Sequence, residues 1–344
     1  MSSWLDYLQG NGARVIDGHV ADFGDRLREL VAARDSTIVA DLSHNALLEV
    51  TGDDAGSFLQ GQLTNDVNAL TVDMAQRSGW CSPKGRLLAT FLLVRRTDRY
   101  LILLPAEIAQ AIEKRLKMFV LRSKVKISDV SATWVRVGVA GPKAGEAIAR
   151  AFGRSPGAMG AVEGTNGSLA VNLGDGRFLV VVPAPNAQAL WESLLDEATP
   201  AGVGAWEWKT IRAGIPTVVA ATQEAFVPQM ANLDLIGAVS FRKGCYPGQE
   251  IVARTQYRGI LKRRMALAHL PGEDSPAPGE SLYSTAFGDQ AAGTIANSAP
   301  SPEGGFDALV VAQVESLDRG DLRWKSPQGP ALTIVSRPAT DAAS

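Results

Sequence analysis

The chain has 344 residues, of which 46% are hydrophobic and 20% are charged, and its formal net charge is −2. This length suits two or three globular domains, and the near-zero charge gives no overall argument for a nucleic-acid or membrane partner. Two cysteines form no disulfide framework, and three histidines far apart in the chain show no metal-ligand spacing. The sequence has no signal-peptide pattern and no apolar run near the roughly 20 residues of a membrane span, so we expect a cytoplasmic protein.

The first third of the chain alternates between helical and strand-like patterns. The predicted elements are a helix over residues 21–34, strands over 37–42 and 46–51, a short helix through 55–59, paired strands over 87–95 and 100–104, and a helix to about residue 119. Asp53 can cap the short helix, and Pro105 is expected in the first turn of the last helix.

The next part of the chain repeats this pattern. Strand, glycine and helix follow one another from Glu49–Gly52 onward and again from Val137–Gly141 onward. The segment that begins at Arg99 matches the one that begins at Arg177, with identities at the arginine, at a proline and at an Ala-Gln-Ala run. We infer two related α+β units, each a sheet with helices on one side. A cleft between duplicated halves is a common place for a small-molecule site.

The C-terminal part has a different pattern. Short strand candidates at 266–270, 292–296, 309–314 and 331–335 are separated by glycine and proline, which predicts a small antiparallel β domain, such as a β-barrel. The predicted fold class is therefore α+β. The expected domains are 1–130 for the first unit, 131–260 for the second unit, 261–336 for the β-barrel and 337–344 for a tail.

The densest group of reactive side chains is Lys243-Gly-Cys-Tyr-Pro-Gly-Gln-Glu250. Its two glycines and its proline are turn signals, so we expect Cys245 to lie on a bend. The basic residues at 242 and 243 favour a thiolate over a thiol, and a helix that begins near Gln249 would do the same. The residues alone leave two interpretations, an inert buried cysteine in a turn and a reactive thiol that approaches a ligand or partner.

A basic strip extends from residue 241 to residue 265. It holds seven basic residues and one acidic residue, a charge of +6 that leaves −8 for the rest of the chain. Such a strip suits an anionic ligand, a polyglutamate tail or RNA phosphates. A solvated basic face has the same pattern.

Four stretches of the sequence carry a family resemblance. They are Phe58–Asp66, Ile211–Pro216, Phe226–Met230 and Lys243–Glu250, in this order, within a similarity that spans nearly the whole chain. Together they resemble the folate-binding YgfZ family, relatives of the glycine-cleavage T-protein (aminomethyltransferase). The resemblance implies a cloverleaf in which two related α+β units and a C-terminal β-barrel surround a central folate channel. It also implies tetrahydrofolate binding and a role in maintaining iron–sulfur enzymes, including those that thiolate tRNA.

The resemblance also implies roles for individual residues. It makes Cys245 the redox or sulfur-handling residue and Trp206 the aromatic residue that contacts folate, since an indole can stack on a pterin or aminobenzoyl ring. Without the resemblance, Trp206 is equally well explained as a core residue. The other implied folate contacts are Gln60, Gln62, Thr64, Asn65, Asp66, Arg212, Lys243, Tyr246, Gln249 and Glu250.

Several positions depart from the pattern of the relatives. Asn45 stands where some relatives have a second tryptophan, and Arg212 stands where the T-protein has a glutamate that holds the pterin. An arginine cannot accept the hydrogen bonds that the pterin amino group donates. Ala89 and Thr90 stand where the T-protein has an aspartate pair, and neither supplies the charge that one-carbon transfer requires.

Three functions follow from these observations. The first is a folate-dependent accessory protein for iron–sulfur cluster assembly and maintenance, not a self-contained enzyme, with iron–sulfur enzymes or cluster-assembly proteins as partners. The second is a folate-dependent, aminomethyltransferase-like one-carbon transferase. The third is a tRNA-binding regulatory protein that uses the basic strip, although Phe241, Tyr246 and Tyr257 offer few platforms for base stacking. We favour the first, because the signature is present and the aspartate pair is absent.

Overall fold

The structure is a computed structural model that describes residues 2–258 and 261–337. It divides into two compact units. Compact unit 1 takes the described residues of Met1–Leu59, Val67–Gln76 and Phe91–Lys209, and compact unit 2 takes those of Gln60–Asp66, Arg77–Thr90 and Thr210–Ser344. The domain boundaries expected near residues 130 and 260 stay a prediction. The predicted tail from residue 338 onward lies outside the described residues.

Helices and strands alternate along the described chain. The α-helices are α1 (Ser2–Gly10), α2 (Arg26–Asp35), α3 (Ala55–Gln62), α4 (Ala106–Lys117), α5 (Ala144–Phe152), α6 (Ala187–Leu195), α7 (Val203–Arg212), α8 (Gln249–Arg258) and α9 (Val314–Arg319). The first strands are β1 (Arg14–Ile16), β2 (His19–Asp22), β3 (Ile38–Asp41), β4 (Asn45–Thr51), β5 (Ala75–Cys81), β6 (Leu87–Arg95), β7 (Arg99–Pro105), β8 (Lys126–Asp129) and β9 (Trp134–Ala140). The later strands are β10 (Ala161–Glu163), β11 (Leu169–Gly174), β12 (Arg177–Pro183), β13 (Thr199–Ala201), β14 (Arg263–Leu270), β15 (Ser281–Tyr283), β16 (Gly293–Pro300), β17 (Phe306–Gln313), β18 (Arg323–Trp324) and β19 (Thr333–Ser336). None of the helices in the described ranges is long and apolar enough to cross a membrane.

Strands β3 to β13 form two sheets of related design. The strand order is β5-β6-β7-β4-β8 in the first sheet and β10-β11-β12-β9-β3-β13 in the second. The two orders match once β3 is set aside, because each sheet is built from strand, helix, three strands, helix and strand in succession. The registers correspond too, since Thr51 opposes Arg99 in the first sheet and Ala140 opposes Arg177 in the second. The structure therefore agrees with the predicted repeat.

Each repeat passes from its first strand to its first helix at a glycine. Gly52 and Gly141 have φ angles of +112° and +135°. An added Cβ would lie 2.0 Å from the carbonyl oxygen of Lys124 at the first glycine, and 2.3 Å from that of Ser36 at the second. Only glycine tolerates both the backbone angle and this close approach. The two glycines therefore mark the same turn in both repeats.

The second sheet is buried on both faces. The alternate valines of β9 share one face with apolar residues of α5 and α6. Trp191 of α6 lies there, in an edge-to-face contact with Trp4 of α1 at 5.7 Å between ring centroids. On the opposite face, Trp206 of α7 packs against Gly138, where an added Cβ would lie 2.5 Å from the ring. This double burial explains why β9 is buried over nearly its whole length. The expectation of helices on one side of each sheet is therefore wrong for the second sheet.

Two predicted helix boundaries in the first repeat and before it are wrong. The helix expected over residues 21–34 begins only after Asp25, whose side chain accepts a hydrogen bond from the amide of Arg28 at 2.9 Å, and residues 21 and 22 belong to β2. Pro105 ends β7 and precedes α4 and does not lie in its first turn, and α4 ends at Lys117. In both cases a residue that was read as helical belongs to the neighbouring strand, because propensity is weaker than strand pairing.

The C-terminal strands form one antiparallel sheet in compact unit 2. Its order is β18-β15-β16-β17-β14-β19, and β14 pairs with β17 along its whole length. Apolar residues of these strands and of α9 form their own core cluster. The predicted antiparallel sheet is thus confirmed. Its described residues leave β18 and β19 at the two edges, so closure into a barrel, and a channel at its side, stay predictions.

Candidate functional site

Residues 60–66 and residues 243–250 meet in compact unit 2, and we call these two segments together the Lys243 site. Lys243 is only 8% exposed. Its ammonium donates hydrogen bonds to three backbone carbonyl oxygens, those of Gln60 at 2.6 Å, Leu63 at 2.5 Å and Asn65 at 2.9 Å. An ammonium has three donors, and each finds one acceptor here. The lysine thereby joins two motifs that are far apart in the sequence.

Burial sets the charge state of the side chains at the Lys243 site. It lowers the pKa of Lys243 to about 8, and the carboxylate of Asp66 offsets part of this effect. Burial also raises the pKa of the Tyr246 phenol, which is therefore neutral near physiological pH. The ammonium of Lys243 lies 5.2 Å from the centroid of the Tyr246 ring, within the range of a cation–π interaction. The lysine thus keeps its proton near neutral pH among carbonyl oxygens and an aromatic ring.

The two cysteines of the chain have opposite surroundings. Cys245 is exposed, whereas Cys81 is 1% exposed and burial raises its pKa to about 12. The interpretation of Cys245 as a buried cysteine is therefore wrong. All three donors of Lys243 bind carbonyl oxygens, so none is left for the thiol, and activation of the thiol by the neighbouring cations stays a prediction. Cys245 is an accessible thiol in an irregular segment between the bends at residues 241–243 and the turn at residues 247–248, so the bend predicted at the cysteine itself is wrong.

A contact between two glycine turns holds the bend beside Cys245. Gly248 has a φ angle of +80°, and an added Cβ would lie 2.5 Å from the carbonyl oxygen of Ser82 and 2.6 Å from the Cα of Gly85. An added Cβ at Gly244 would meet no atom within 4 Å. Gly248 is therefore required by packing within the chain, while Gly244 borders open space next to the thiol.

The polar side chains at positions 64 and 65 are bound to other parts of compact unit 2. The buried hydroxyl of Thr64 donates to the carbonyl oxygen of Ala238 at 2.7 Å and accepts from the amide of Gly79 at 2.7 Å. The side-chain amide of Asn65 donates to the carbonyl oxygen of Gly237 at 2.7 Å. These bonds fix the backbone whose carbonyl oxygens bind Lys243. The structure thus gives both side chains a role in building the site, and a folate contact from them stays a prediction.

Further residues named from the sequence lie at the same site. Gln60 donates to Asp66 at 3.0 Å, and Gln62 accepts from an indole N–H at 3.3 Å. On the other segment, the side-chain amide of Gln249 lies 3.5 Å from the backbone carbonyl oxygen of Lys243, and Glu250 is exposed. The sequence therefore identified residues that are neighbours in space.

Trp206 belongs to compact unit 1 and is 5% exposed. One side of its ring is covered by Gly138, as described above. The next residue, Glu207, contacts Nε2 of His44 at 3.0 Å, and the amide nitrogen of Asn45 contacts the same ring nitrogen at 2.9 Å. The structure gives Trp206 a packing role, and stacking on folate stays a prediction.

Arg212 lies in compact unit 2 and lines a cavity of about 230 Å³ together with mostly apolar side chains. Its guanidinium lies 3.6 Å from the carboxylate of Asp307, and the same carboxylate contacts His269 at 2.9 Å. Sequence reasoning missed the latter two residues because no motif links them. Only the pairing of β14 with β17 places His269 opposite Asp307.

Ala89 and Thr90 stand at the positions of the T-protein aspartates, and neither side chain is a carboxylic acid. Ala89 is fully buried, and the hydroxyl of Thr90 accepts a hydrogen bond from the amide of Val218 at 3.0 Å. Both residues therefore serve packing and backbone bonding within compact unit 2. No proton-transfer group stands at either position.

The basic strip is divided by internal contacts. Lys243 is buried, and Arg264 binds Asp234 at 2.7 and 2.9 Å through two parallel hydrogen bonds. Arg242, Arg254 and Lys262 are exposed. Fewer cations are therefore directed to solvent than the sequence suggests.

Comparison with known proteins gives a family match and a match to a whole fold. Residues 22–243 match the family described as "GCVT N-terminal domain". The glycine cleavage system aminomethyltransferase T from Bartonella henselae is similar over 97% of this chain and 96% of its own, with a TM-score of 0.81 and 20% sequence identity. At this identity the likeness shows the fold, a mixture of helices and sheets.

Other similar structures cover about half of the chain. The heterotetrameric sarcosine oxidase from Corynebacterium sp. U-96 matches 50% of this chain and 90% of its own, with a TM-score of 0.39 and 14% identity. The regulatory subunit of aspartate kinase from Thermus thermophilus matches 46% of this chain and 96% of its own, with a TM-score of 0.26 and 15% identity. Likenesses this low support no structural argument.

Proposed function

Because the chain belongs to the family of the GCVT N-terminal domain, we propose that it is a tetrahydrofolate-binding accessory protein of the YgfZ branch of that family. In this proposal it supports the assembly or maintenance of iron–sulfur enzymes, including enzymes that thiolate tRNA, and its partners are those enzymes or cluster-assembly proteins. The aminomethyltransferase-like fold supports the folate part of the proposal. The signature from Lys243 to Glu250 supports the branch.

The observation that carries the proposal is the exposure of Cys245 on an anchored loop. Lys243 fixes the loop from one side through three carbonyl oxygens, and the contact of Gly248 with Gly85 fixes it from the other. A thiol held in this way meets a partner without a change in the backbone, which lowers the entropy cost of each encounter. Cys81, which is buried and protonated, is not available for the same work.

The side chains at positions 89 and 90 favour an accessory role over one-carbon transfer. A transferase needs a group that moves a proton to or from the reacting amine. A buried alanine and a threonine engaged by Val218 do not supply it. Aminomethyl transfer is kept as the second candidate because the fold is that of an aminomethyltransferase.

Complementation tests the role of Cys245. In a strain that lacks its own copy of this protein, we expect the Cys245→Ser variant to restore less iron–sulfur enzyme activity than the wild type. A serine hydroxyl is a much weaker nucleophile and metal ligand than a thiolate. The substitution is at an exposed site, so we expect the variant to fold normally. Cys81→Ala is the matched control and should complement. Full complementation by Cys245→Ser would refute the proposed role of the thiol.

A further inference from the structure

A surface of compact unit 1 that the proposed function does not use lies at the end of α4. Over residues 114–126, which we call the α4 tip, the chain carries six basic residues and no acidic residue. Three large apolar side chains of the same stretch are also exposed, Met118 at 68%, Phe119 at 43% and Leu121 at 87%. Large apolar side chains exposed next to one another mark interaction sites more often than ordinary surface.

The α4 tip is ordered by its own backbone. The amides of Met118, Phe119 and Val120 each donate to the carbonyl oxygen three residues earlier. Leu121 follows with a φ angle of +48°, a left-handed conformation that leucine rarely adopts. The most exposed apolar side chain of the tip is thus held in an unfavourable backbone conformation. Strain of this kind is typical of functional surfaces.

The α4 tip is also attached to the turn between β4 and α3. The amide of Lys124 donates to the carboxylate of Asp54 at 2.8 Å, and its ammonium lies 3.1 Å from Asp53. The carbonyl oxygen of Lys124 packs against Gly52, as described above. Beside the tip lies an open hollow lined by Asp54, Ser57, Leu121, Arg122 and Ser123. The tip is therefore a fixed projection next to a concave surface.

The helix itself explains only half of the positive charge of the α4 tip. Three of the six cations lie in the last turn of α4, where basic residues stabilise the helix dipole. Arg122, Lys124 and Lys126 lie beyond the helix and are exposed. The ion pair between Lys124 and Asp53 is exposed as well, and such pairs contribute little to stability. Neither the helix dipole nor this ion pair therefore accounts for the three cations.

We propose that the α4 tip binds an acidic surface of a partner protein, with an apolar pocket of the partner around Leu121. Aromatic residues, methionine and arginine are enriched in protein–protein interfaces, and the rim of such interfaces is polar. The six cations of the tip complement carboxylates on the partner, which increases the association rate and the specificity. The proposal does not depend on the proposed function.

Two other kinds of partner fit the α4 tip less well. An anionic bilayer would also meet the carboxylates of Asp53 and Asp54, which lie beside Lys124 of the tip and would be repelled by anionic lipids. RNA binding relies on aromatic stacking, and the tip has a single aromatic residue, Phe119. Both remain outcomes of the test below.

A photo-crosslinking amino acid at position 121 of the full chain, expressed in cells, tests the proposal. Position 27 is the matched control, because Leu27 is 59% exposed and lies between the exposed residues Arg26 and Arg28. We expect position 121, and not position 27, to crosslink to a protein segment rich in Asp and Glu. The purified partner should then bind the wild type less tightly as the salt concentration rises. It should bind Leu121→Ser, and separately the double variant Arg122→Glu with Lys126→Glu, at least about tenfold more weakly, and Leu27→Ser with unchanged affinity.

Several outcomes would overturn the proposal. One is an equal crosslinking yield at positions 121 and 27. Another is a crosslinked protein segment without acidic residues, or binding that is insensitive to salt. Binding to vesicles of phosphatidylcholine and phosphatidylglycerol, or to tRNA, that Leu121→Ser and the double variant abolish would replace the protein partner by a bilayer or an RNA. Thermal unfolding of each variant shows that a loss of binding does not come from a loss of folding.

Discussion

The role of Lys243 in the structure differs from the role that the sequence suggests. In the sequence it precedes the thiol and suggests a cation that activates Cys245. In the structure it is buried, and its ammonium binds three carbonyl oxygens of residues 60–65. A charge in such surroundings is favourable only if its donors are all satisfied. The lysine is therefore a structural residue that positions the loop, and the thiol owes its accessibility to that loop.

Replacing Lys243 by Met tests this role. The side chain keeps a similar length, but three carbonyl oxygens lose their donor, while the cost of burying a charge disappears. We expect the free energy of unfolding to fall by about 2–4 kcal/mol, as measured by urea unfolding near neutral pH. Lys84→Met, at an exposed lysine of the same compact unit, is the matched control and should match the wild type within about 0.5 kcal/mol. Equal stabilities of the two variants would contradict the structural role.

The same two variants report on the charge of Lys243 as a function of pH. The pKa of this lysine is about 8 in the folded protein, below its ordinary value of 10.5. Between these values the unfolded chain holds a proton that the folded protein has released, so a rise in pH favours the folded state through this residue. We expect the stability of the wild type relative to Lys243→Met to increase from about pH 8 to about pH 10.5. The difference between the wild type and Lys84→Met should stay constant, and a constant difference for both variants would show that the pKa is not lowered.

Among the structural elements, the loop before α8 was predicted only in part from the sequence, whereas the strand predicted over residues 87–95 coincides with β6. Its turn signals predicted a bend at Cys245, but the turn lies at residues 247–248, and α8 begins at Gln249 directly after it. The two glycines of the loop looked alike in the sequence, as places for a ligand or partner to approach. In the structure, the turn at Gly85 packs against Gly248, and of these two glycines only Gly244 borders open space.

The two glycines should therefore respond differently to alanine. In Gly248→Ala, the new Cβ requires a left-handed alanine and overlaps backbone atoms of Ser82 and Gly85. We expect a loss of about 2–4 kcal/mol in the free energy of unfolding. In Gly244→Ala, the methyl group meets no atom within 4 Å, and we expect a change within about 0.5 kcal/mol. Urea unfolding of both variants measures this, and a similar loss in both would refute the packing argument.

On the scale of the whole molecule, the fold is built on a duplicated strand order, whereas the proposed function depends on individual side chains. The two sheets share their order of strands once β3 is set aside, one pair of strands has the same register in both, and the fold is similar to that of an aminomethyltransferase. A fold by itself does not fix an activity. Ala89 and Arg212 are among the positions on which we base the choice between one-carbon transfer and an accessory role. Their side chains differ from those of the T-protein, and these differences leave the fold intact.

Titration of the purified full chain with tetrahydrofolate, followed by tryptophan fluorescence, tests the folate part of the proposal. We expect a saturable change in the wild type and weaker binding by Trp206→Phe, because a smaller ring offers less stacking surface. Trp191→Phe, at a tryptophan buried in the core, is the matched control. Equal affinities of the two variants would leave Trp206 as a packing residue, and an absence of saturation in the wild type would refute folate binding.

The same preparation distinguishes the second candidate function. With methylamine donors we expect no methylenetetrahydrofolate above background, because positions 89 and 90 lack a proton-transfer group. Product formation that depends on the wild-type protein would favour aminomethyl transfer. Binding without product would favour the accessory role.

The sequence by itself determined the features that depend on near neighbours. The alternation of strand and helix, the glycine turn at Gly52 and Gly141, and the turn before α8 follow from backbone preferences within a few residues. The tertiary structure alone decided which residues are buried and which bind each other. It placed Lys243 under the carbonyl oxygens of residues 60–65 and His269 against Asp307. Burial and hydrogen bonding depend on chain segments that are distant in sequence, and their proximity arises only when the sheets and loops pack.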